Sequence, residues 1–133
     1  LNLTHNRSDL YRSIFEGIAY GTKHVFDTFK ELNNLPKKLY SVGGGTNNKL
    51  WSQITSNIIG LEQIIRKKTI GASYGNAFLS ALTLGDVKRE DIHLWNKIDY
   101  KIIPRKNSVY VKGYRNFRKL YDNTKDIMKE IDN

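Results

Sequence analysis

The chain of 133 residues contains no cysteine, which excludes disulfides, thiolate catalysis and cysteine-bound zinc. Its histidines, His5, His24 and His93, lie far apart in the sequence. They form neither His-x-x-x-His nor His-Glu-x-x-His, so no metal site of that type is expected. No apolar run approaches the roughly 18 residues that a membrane-crossing helix needs, and no signal-peptide pattern opens the chain. These absences favour a cytoplasmic setting. The only methionine is Met128, so residue 1 is not a natural start, and the chain is expected to be a piece of something larger. No Gly-x-Ser-x-Gly nucleophile elbow is expected.

What is present is ordinary in bulk. Apolar residues make up 39% and charged residues 26%, as in a soluble globular domain with a real core. The formal charge of +9 is unevenly spread. Through Pro36, Arg7, Arg12, Lys23 and Lys30 balance Asp9, Glu16, Asp27 and Glu31, and the whole excess lies beyond. Such a bias suits anionic partners, nucleotides or nucleic acid. The plainer reading, a solvated lysine-rich surface, is preferred on charge alone.

Ser8 and Asp9 can cap a helix in which Leu10, Ile14, Phe15, Ile18, Val25, Phe26, Phe29 and Leu32 recur near helical spacing. That helix is expected to end at Asn33-Asn34, ahead of Pro36. The pattern then predicts a strand over 38–42 and a helix over 47–59, with Leu50, Trp51, Ile54 and Ile58 facing inward and Gly60 as its stop. A second strand over 62–66 and a helix over 72–84, closed by Gly85, follow. Gly71, Ala72, Gly75, Ala77 and Ala81 would let that helix approach a neighbour closely. Residues 86–94 read as a short helix or turn, 95–105 as extended and irregular, and 107–131 as a last helix. The aromatics Tyr110, Tyr114, Phe117 and Tyr121 near Lys112, Arg115, Arg118 and Lys119 could stack on bases. Their spacing instead marks the buried stripe of an amphipathic helix. The order is α/β with adjacent parallel strands. Two strands are few for an independent sheet, which agrees with an incomplete chain.

The most informative stretch is Tyr40-Ser-Val-Gly-Gly-Gly-Thr-Asn-Asn-Lys-Leu-Trp-Ser-Gln53. An apolar strand runs into three glycines and then a helix start, an arrangement suited to an anion such as a nucleotide phosphate. It is not a Walker A loop, because Asn48 takes the second glycine position and Leu50 follows Lys49. It is not a dinucleotide fingerprint either, because Asn48 again replaces the third glycine. The plainer alternative is a tight turn without a ligand. Between Leu32 and Gly85 the only carboxylate is Glu62. Phosphoryl transfer needs Mg²⁺ and usually a carboxylate to place the metal or take a proton. A nucleotide site here would therefore bind and orient, with the reactive acids supplied from elsewhere.

Three stretches together resemble the C-terminal domain of the FGGY carbohydrate kinases, most closely the xylulokinase-like members. Leu1, followed by seven residues and then Asp9-Leu-Tyr-Arg-Ser-Ile-Phe-Glu-Gly17, is similar to the second half of that family's C-terminal signature. Gly43-Gly-Gly-Thr-Asn-Asn-Lys-Leu-Trp-Ser-Gln53 resembles its adenosine-binding segment, and Gly71-Ala-Ser-Tyr-Gly-Asn-Ala77 its Gly-Ala-x-x-Gly-x-Ala helix start. Pro104 and the tyrosine-rich last helix fit the family's tail.

The resemblance implies an α/β fold of ribonuclease-H-like, actin-type (hexokinase-type) architecture, here a small sheet flanked by helices. It implies that residues 1–133 form a C-terminal nucleotide-binding domain, with the catalytic and sugar-binding N-terminal domain outside this chain. Gly44 and Gly45 would lie against the ribose and α-phosphate of ATP, and Asn48 would reach the adenine. Gly43 and Thr46 would shape the turn. No catalytic residue and no metal ligand is assigned here, since the Mg²⁺ ligands and general-base aspartate are expected upstream. The activity implied is transfer of phosphate from ATP to an alcohol group of a sugar, xylulose or a related pentulose, with ADP as product. The chain alone would be inactive. No membrane partner is implied, and the full-length protein is left open as a homodimer. Thr46 in place of the usual alanine and Thr69 where many members carry glutamate are departures from the family pattern. Two other readings compete: a basic module for nucleic acid, the less favoured partner, and a non-kinase actin-like ATPase.

Overall fold

The computed structural model describes residues 2–131. The chain runs α1 (Arg7–Glu31), β1 (Leu39–Ser41), a 3-10 turn (Gly44–Asn47), α2 (Lys49–Ile59), β2 (Gln63–Arg66), α3 (Ala72–Leu84), a second 3-10 turn (Arg89–Asp91), α4 (Ile92–Trp95), β3 (Ile98–Ile102) and α5 (Ser108–Ile131). The sheet has the order β1-β2-β3. β1 and β2 are parallel, with α2 as their connection, and Tyr40 pairs with Ile64. β3 returns antiparallel to β2, with an irregularity between Ile65 and Arg66.

This third strand departs from the irregular stretch expected over 95–105. Its residues are mostly exposed, with only Ile102 buried, so it carries little of the alternation by which a half-buried strand is read. The expected parallel pair is present.

The start of α1 differs in detail. Asn6, not Ser8 or Asp9, is the cap: its Oδ1 accepts from the Ser8 and Asp9 amides at 2.8 and 3.3 Å. Asp9 closes the reciprocal bond by accepting from the Asn6 amide at 2.9 Å, a complete capping box. At the other end Gly60 and Gly85 stop α2 and α3 in left-handed conformations, with φ of 85° and 81°, as expected of C-terminal glycines.

The core joins α1, α2 and α5. Phe15, Ala19, Ile54, Ile58 and Tyr110 are buried together, with Tyr20 and Trp51 packed against them. Arg12 ties α1 to α5 by donating to Tyr110 Oη at 2.8 Å while bonding Glu16 at 2.8 Å. Further along, Gly113 lets the helices close, since a Cβ there would meet Tyr20 Oη at 2.1 Å. Ile64, Ile65, Ile102 and Phe78 are buried around the sheet.

Much of the expected inward surface points outward instead. Leu10, Ile14, Ile18, Val25 and Phe29 on α1, and Leu50 on α2, are exposed. The apolar residues of α1 outnumber what one line of contact with α2 and α5 can cover. On α5 the aromatic stripe is buried at Tyr110 and half-buried at Tyr114 and Phe117, then runs out into solvent at Tyr121. The small residues of α3 do not make a close approach among the described residues: Gly75 has open space where a Cβ would be, and Ala72 and Ala77 are exposed. Leu1, which opens the first family-like stretch, lies outside the described residues.

Candidate functional site

β1 ends at Ser41, and the glycine segment does not pass directly into a long helix. It coils first into the 3-10 turn Gly44–Asn47, and α2 begins only at Lys49. The turn's first bond runs from the Thr46 amide to the Gly43 carbonyl at 3.1 Å. The amides of Gly44 and Gly45 precede that bond and so have no acceptor within the turn. These two exposed groups are donors that the bend presents. At the start of α2, Asn48 Oδ1 accepts from the Trp51 amide at 3.0 Å.

The three glycines are there for three different reasons. Gly43 sits at φ 87°, a conformation that side chains rarely take, and its amide donates to the Thr69 carbonyl at 2.8 Å. Gly45 faces the indole of Trp51, and a Cβ there would meet Trp51 Cζ3 at 3.0 Å. Gly44 has neither constraint: a Cβ would find nothing within 4 Å, and its φ is not positive. Its bareness answers to no need inside the chain. It leaves the backbone open to whatever approaches from outside.

The turn is braced from beneath. Thr46 is buried and donates through Oγ1 to the Gly43 carbonyl at 2.7 Å. Tyr100 on β3 donates to the Thr46 carbonyl at 3.2 Å, and Lys49 Nζ lies 5.5 Å over the Tyr100 ring. Trp51 stacks on Phe15 with centroids 5.3 Å apart, which fixes the indole under Gly45. A cavity of about 200 Å³ adjoins the bend, lined in part by Ser41, Gly45, Thr46, Trp51 and Gln63.

All five residues singled out in the sequence, Gly43, Gly44, Gly45, Thr46 and Asn48, thus lie on one turn. Missed were the supports: Gln63, buried among Ser41, Ser52 and Ser56, and Tyr100. The signal available was the pair of serines four apart on the buried face of an amphipathic helix, since buried hydroxyls require partners. Gln53 has a bracing role as well. Its Nε2 donates to Asn57 Oδ1 at 2.8 Å and to the Ile103 carbonyl at 3.0 Å, which holds the end of β3 against α2.

Glu62 lies just before β2 and pairs with Lys101 at 3.0 Å. Among the described residues no group of three or more histidines and carboxylates converges on a metal-sized site. Contrary to the expectation of no nucleophile elbow, the segment Gly71-Ala-Ser-Tyr-Gly75 has the Gly-x-Ser-x-Gly spacing of a hydrolase nucleophile. Ser73 lies in the first turn of α3, and no histidine is bonded to it, so it lacks the base such chemistry needs. The other residues of that segment act in packing: Tyr74 Oη donates to the Trp95 carbonyl at 2.7 Å, and Phe78 meets Trp95 edge-on.

Residues 1–84 match the family described as "FGGY family of carbohydrate kinases, C-terminal domain". An FGGY carbohydrate kinase domain-containing protein of Xenopus laevis is 30% identical over 121 residues, covering 88% of this chain and 22% of the relative. A xylulose kinase of Staphylococcus epidermidis is 24% identical over 131 residues, covering 96% of this chain and 26% of the relative. Among solved structures, a xylulose kinase from Rhodospirillum rubrum superposes with a TM-score of 0.81 at 25% identity, covering 96% of this chain and 27% of that one. A Plasmodium falciparum glycerol kinase with ADP gives 0.78 at 23% identity, covering 93% and 26%, and shares the fold. The chain spans about a quarter of the length of these relatives. Its architecture is the ribonuclease-H-like, actin-type fold of such kinases, represented by a small sheet flanked by helices. The chain belongs to the FGGY family of carbohydrate kinases, as its C-terminal domain.

Proposed function

We propose that this chain is the nucleotide-holding part of an ATP-dependent sugar kinase that phosphorylates a hydroxyl of xylulose or a related pentulose. The observation that carries the reading is Gly44, an exposed glycine that neither its φ nor any internal neighbour requires. Two unengaged amides on the outer side of the bend suit a ribose and α-phosphate. Asn48 spends its Oδ1 on the helix cap, so contact with adenine falls to its Nδ2 donor. Family membership favours the kinase over a nucleic-acid module or a non-kinase ATPase.

Mg²⁺ does not fit the described residues, among which no cluster of carboxylates comes together, and its ligands are assigned to the upstream domain. In the whole enzyme an upstream aspartate takes the proton of a sugar hydroxyl, which attacks the γ-phosphate of ATP. This domain orients the adenosine end and closes with its partner domain to exclude water. The expected setting is the cytoplasm, and the chain alone is expected to be inactive.

The test is a panel of xylulose, ribulose, glycerol and gluconate assayed with ATP and the full-length protein. A pentulose is expected to give the highest kcat/KM. Failure to phosphorylate any sugar, or a complex with ATP bound far from Gly43–Asn48, would overturn the reading.

A further inference from the structure

We infer that Gln63 is a positioning residue for the nucleotide bend and acts on it through Ser41; this rests on the bend being the adenosine site. Gln63 is only 4% exposed and sits in the middle strand, opposite Leu39 of β1 and Ile102 of β3. Its Oε1 accepts from Ser41 Oγ at 2.6 Å. Its Nε2 donates to the Ser52 carbonyl at 2.6 Å and to Ser56 Oγ at 2.9 Å.

The orientation of this amide is forced. The Ser52 carbonyl can only accept, so Nε2 must face α2 and Oε1 is left for the Ser41 hydroxyl. One side chain thereby ties the strand leading into the bend to the helix leading out of it. Ser41 is the last residue of β1, two before Gly43, and Ser52 lies in the first turns of α2. Ser41 and Gln63 also line the same cavity as Gly45 and Thr46, so the network abuts the underside of the bend. The other braces, the Thr69 carbonyl on Gly43 and Tyr100 on Thr46, grip the bend itself. The Gln63 amide is the brace that sets where β1 delivers it.

Ser41 and Ser56 provide an internal comparison. Both bond the same buried amide, but only Ser41 stands on the strand that feeds the bend. In the full-length enzyme, Ser41→Ala is expected to raise the KM for ATP about threefold to tenfold, the worth of one hydrogen bond. The KM for the sugar and kcat should hardly change. Ser56→Ala should lower Tm by a comparable amount yet leave the KM for ATP within about twofold, because its loss falls on the α2 side. Ser41→Thr, which keeps the hydroxyl, should restore ATP affinity. If Ser41→Ala does not accumulate as folded protein, Ser41→Cys, with its weaker donor, should give an intermediate KM.

Equal effects of the two alanine variants on the KM for ATP, or none from either, would overturn the inference. Gly44→Val separates the two levels of the argument. If it leaves the KM for ATP unchanged, the site reading itself fails. If it raises the KM while Ser41→Ala is silent, only the role of Gln63 fails.

Discussion

Three adjacent glycines answer to different physics, and substitution tells them apart. Gly43→Ala forces a side chain onto a φ of 87°, expected to destabilise by roughly 1–2 kcal/mol. Gly45→Ala presses on the Trp51 ring, which is itself stacked on Phe15, so a loss of similar size is expected. Gly44→Val meets open space and is expected to leave Tm almost unchanged while weakening ATP binding at least tenfold in the full-length protein. Denaturation curves and nucleotide titrations on the same three variants check this pattern. Asn48→Ala removes a helix cap and is expected to lower stability by about 1 kcal/mol.

Between helices, the α1–α5 contact carries the clearest dependence on pH. Asp27 accepts from the Tyr114 hydroxyl and from Lys23 Nζ at 3.3 Å, with Arg118 at 3.9 Å. Burial pushes its carboxyl up, but the hydrogen bonds from Tyr114 and Lys23 and the two positive charges outweigh it. The carboxyl therefore titrates below the ordinary 3.8. A folded value below the unfolded one means that the stabilisation is present above about pH 4 and is lost as pH falls through the folded value. Asp27→Asn is expected to lower Tm at neutral pH, with the gap to the parent protein closing as pH falls through the lowered folded value. A gap that does not narrow at all on acidification would show that the loss is not electrostatic. At the alkaline end, burial and the bond to Asp27 raise the Tyr114 phenol above its usual 10.0. That contribution is present below pH 10 and lost as pH rises through the raised value.

For the molecule as a body, apolar residues of α1 stand exposed and β1 is the edge of the sheet among the described residues. Preparations of residues 1–133 alone are expected to show no sugar-dependent ATP consumption in a coupled assay, and turnover by them would contradict the division of labour proposed here. Ile54 is 1% exposed at the centre of the α1–α2–α5 core. Ile54→Ala is expected to destabilise by about 2–5 kcal/mol, measured by denaturant unfolding.

Local chemistry was enough to place most of the elements. Periodicity and terminal glycines act over a few residues, so the end of α2, the bounds of α3 and, to within a residue, those of α5, and the parallel strand pair were legible from the chain. So was the glycine bend, because its backbone demands are met by adjacent residues. What escaped depends on contacts distant in sequence. Tyr100 reaches Thr46 across 54 positions, and Gln63 reaches Ser41 across 22, and no local pattern marks either. β3 exists because β2 offers an edge to pair with, not because its own residues alternate. Which apolar line of α1 is buried was likewise settled by α2 and α5: helical spacing reveals that a face is apolar, while packing selects the one that loses its water.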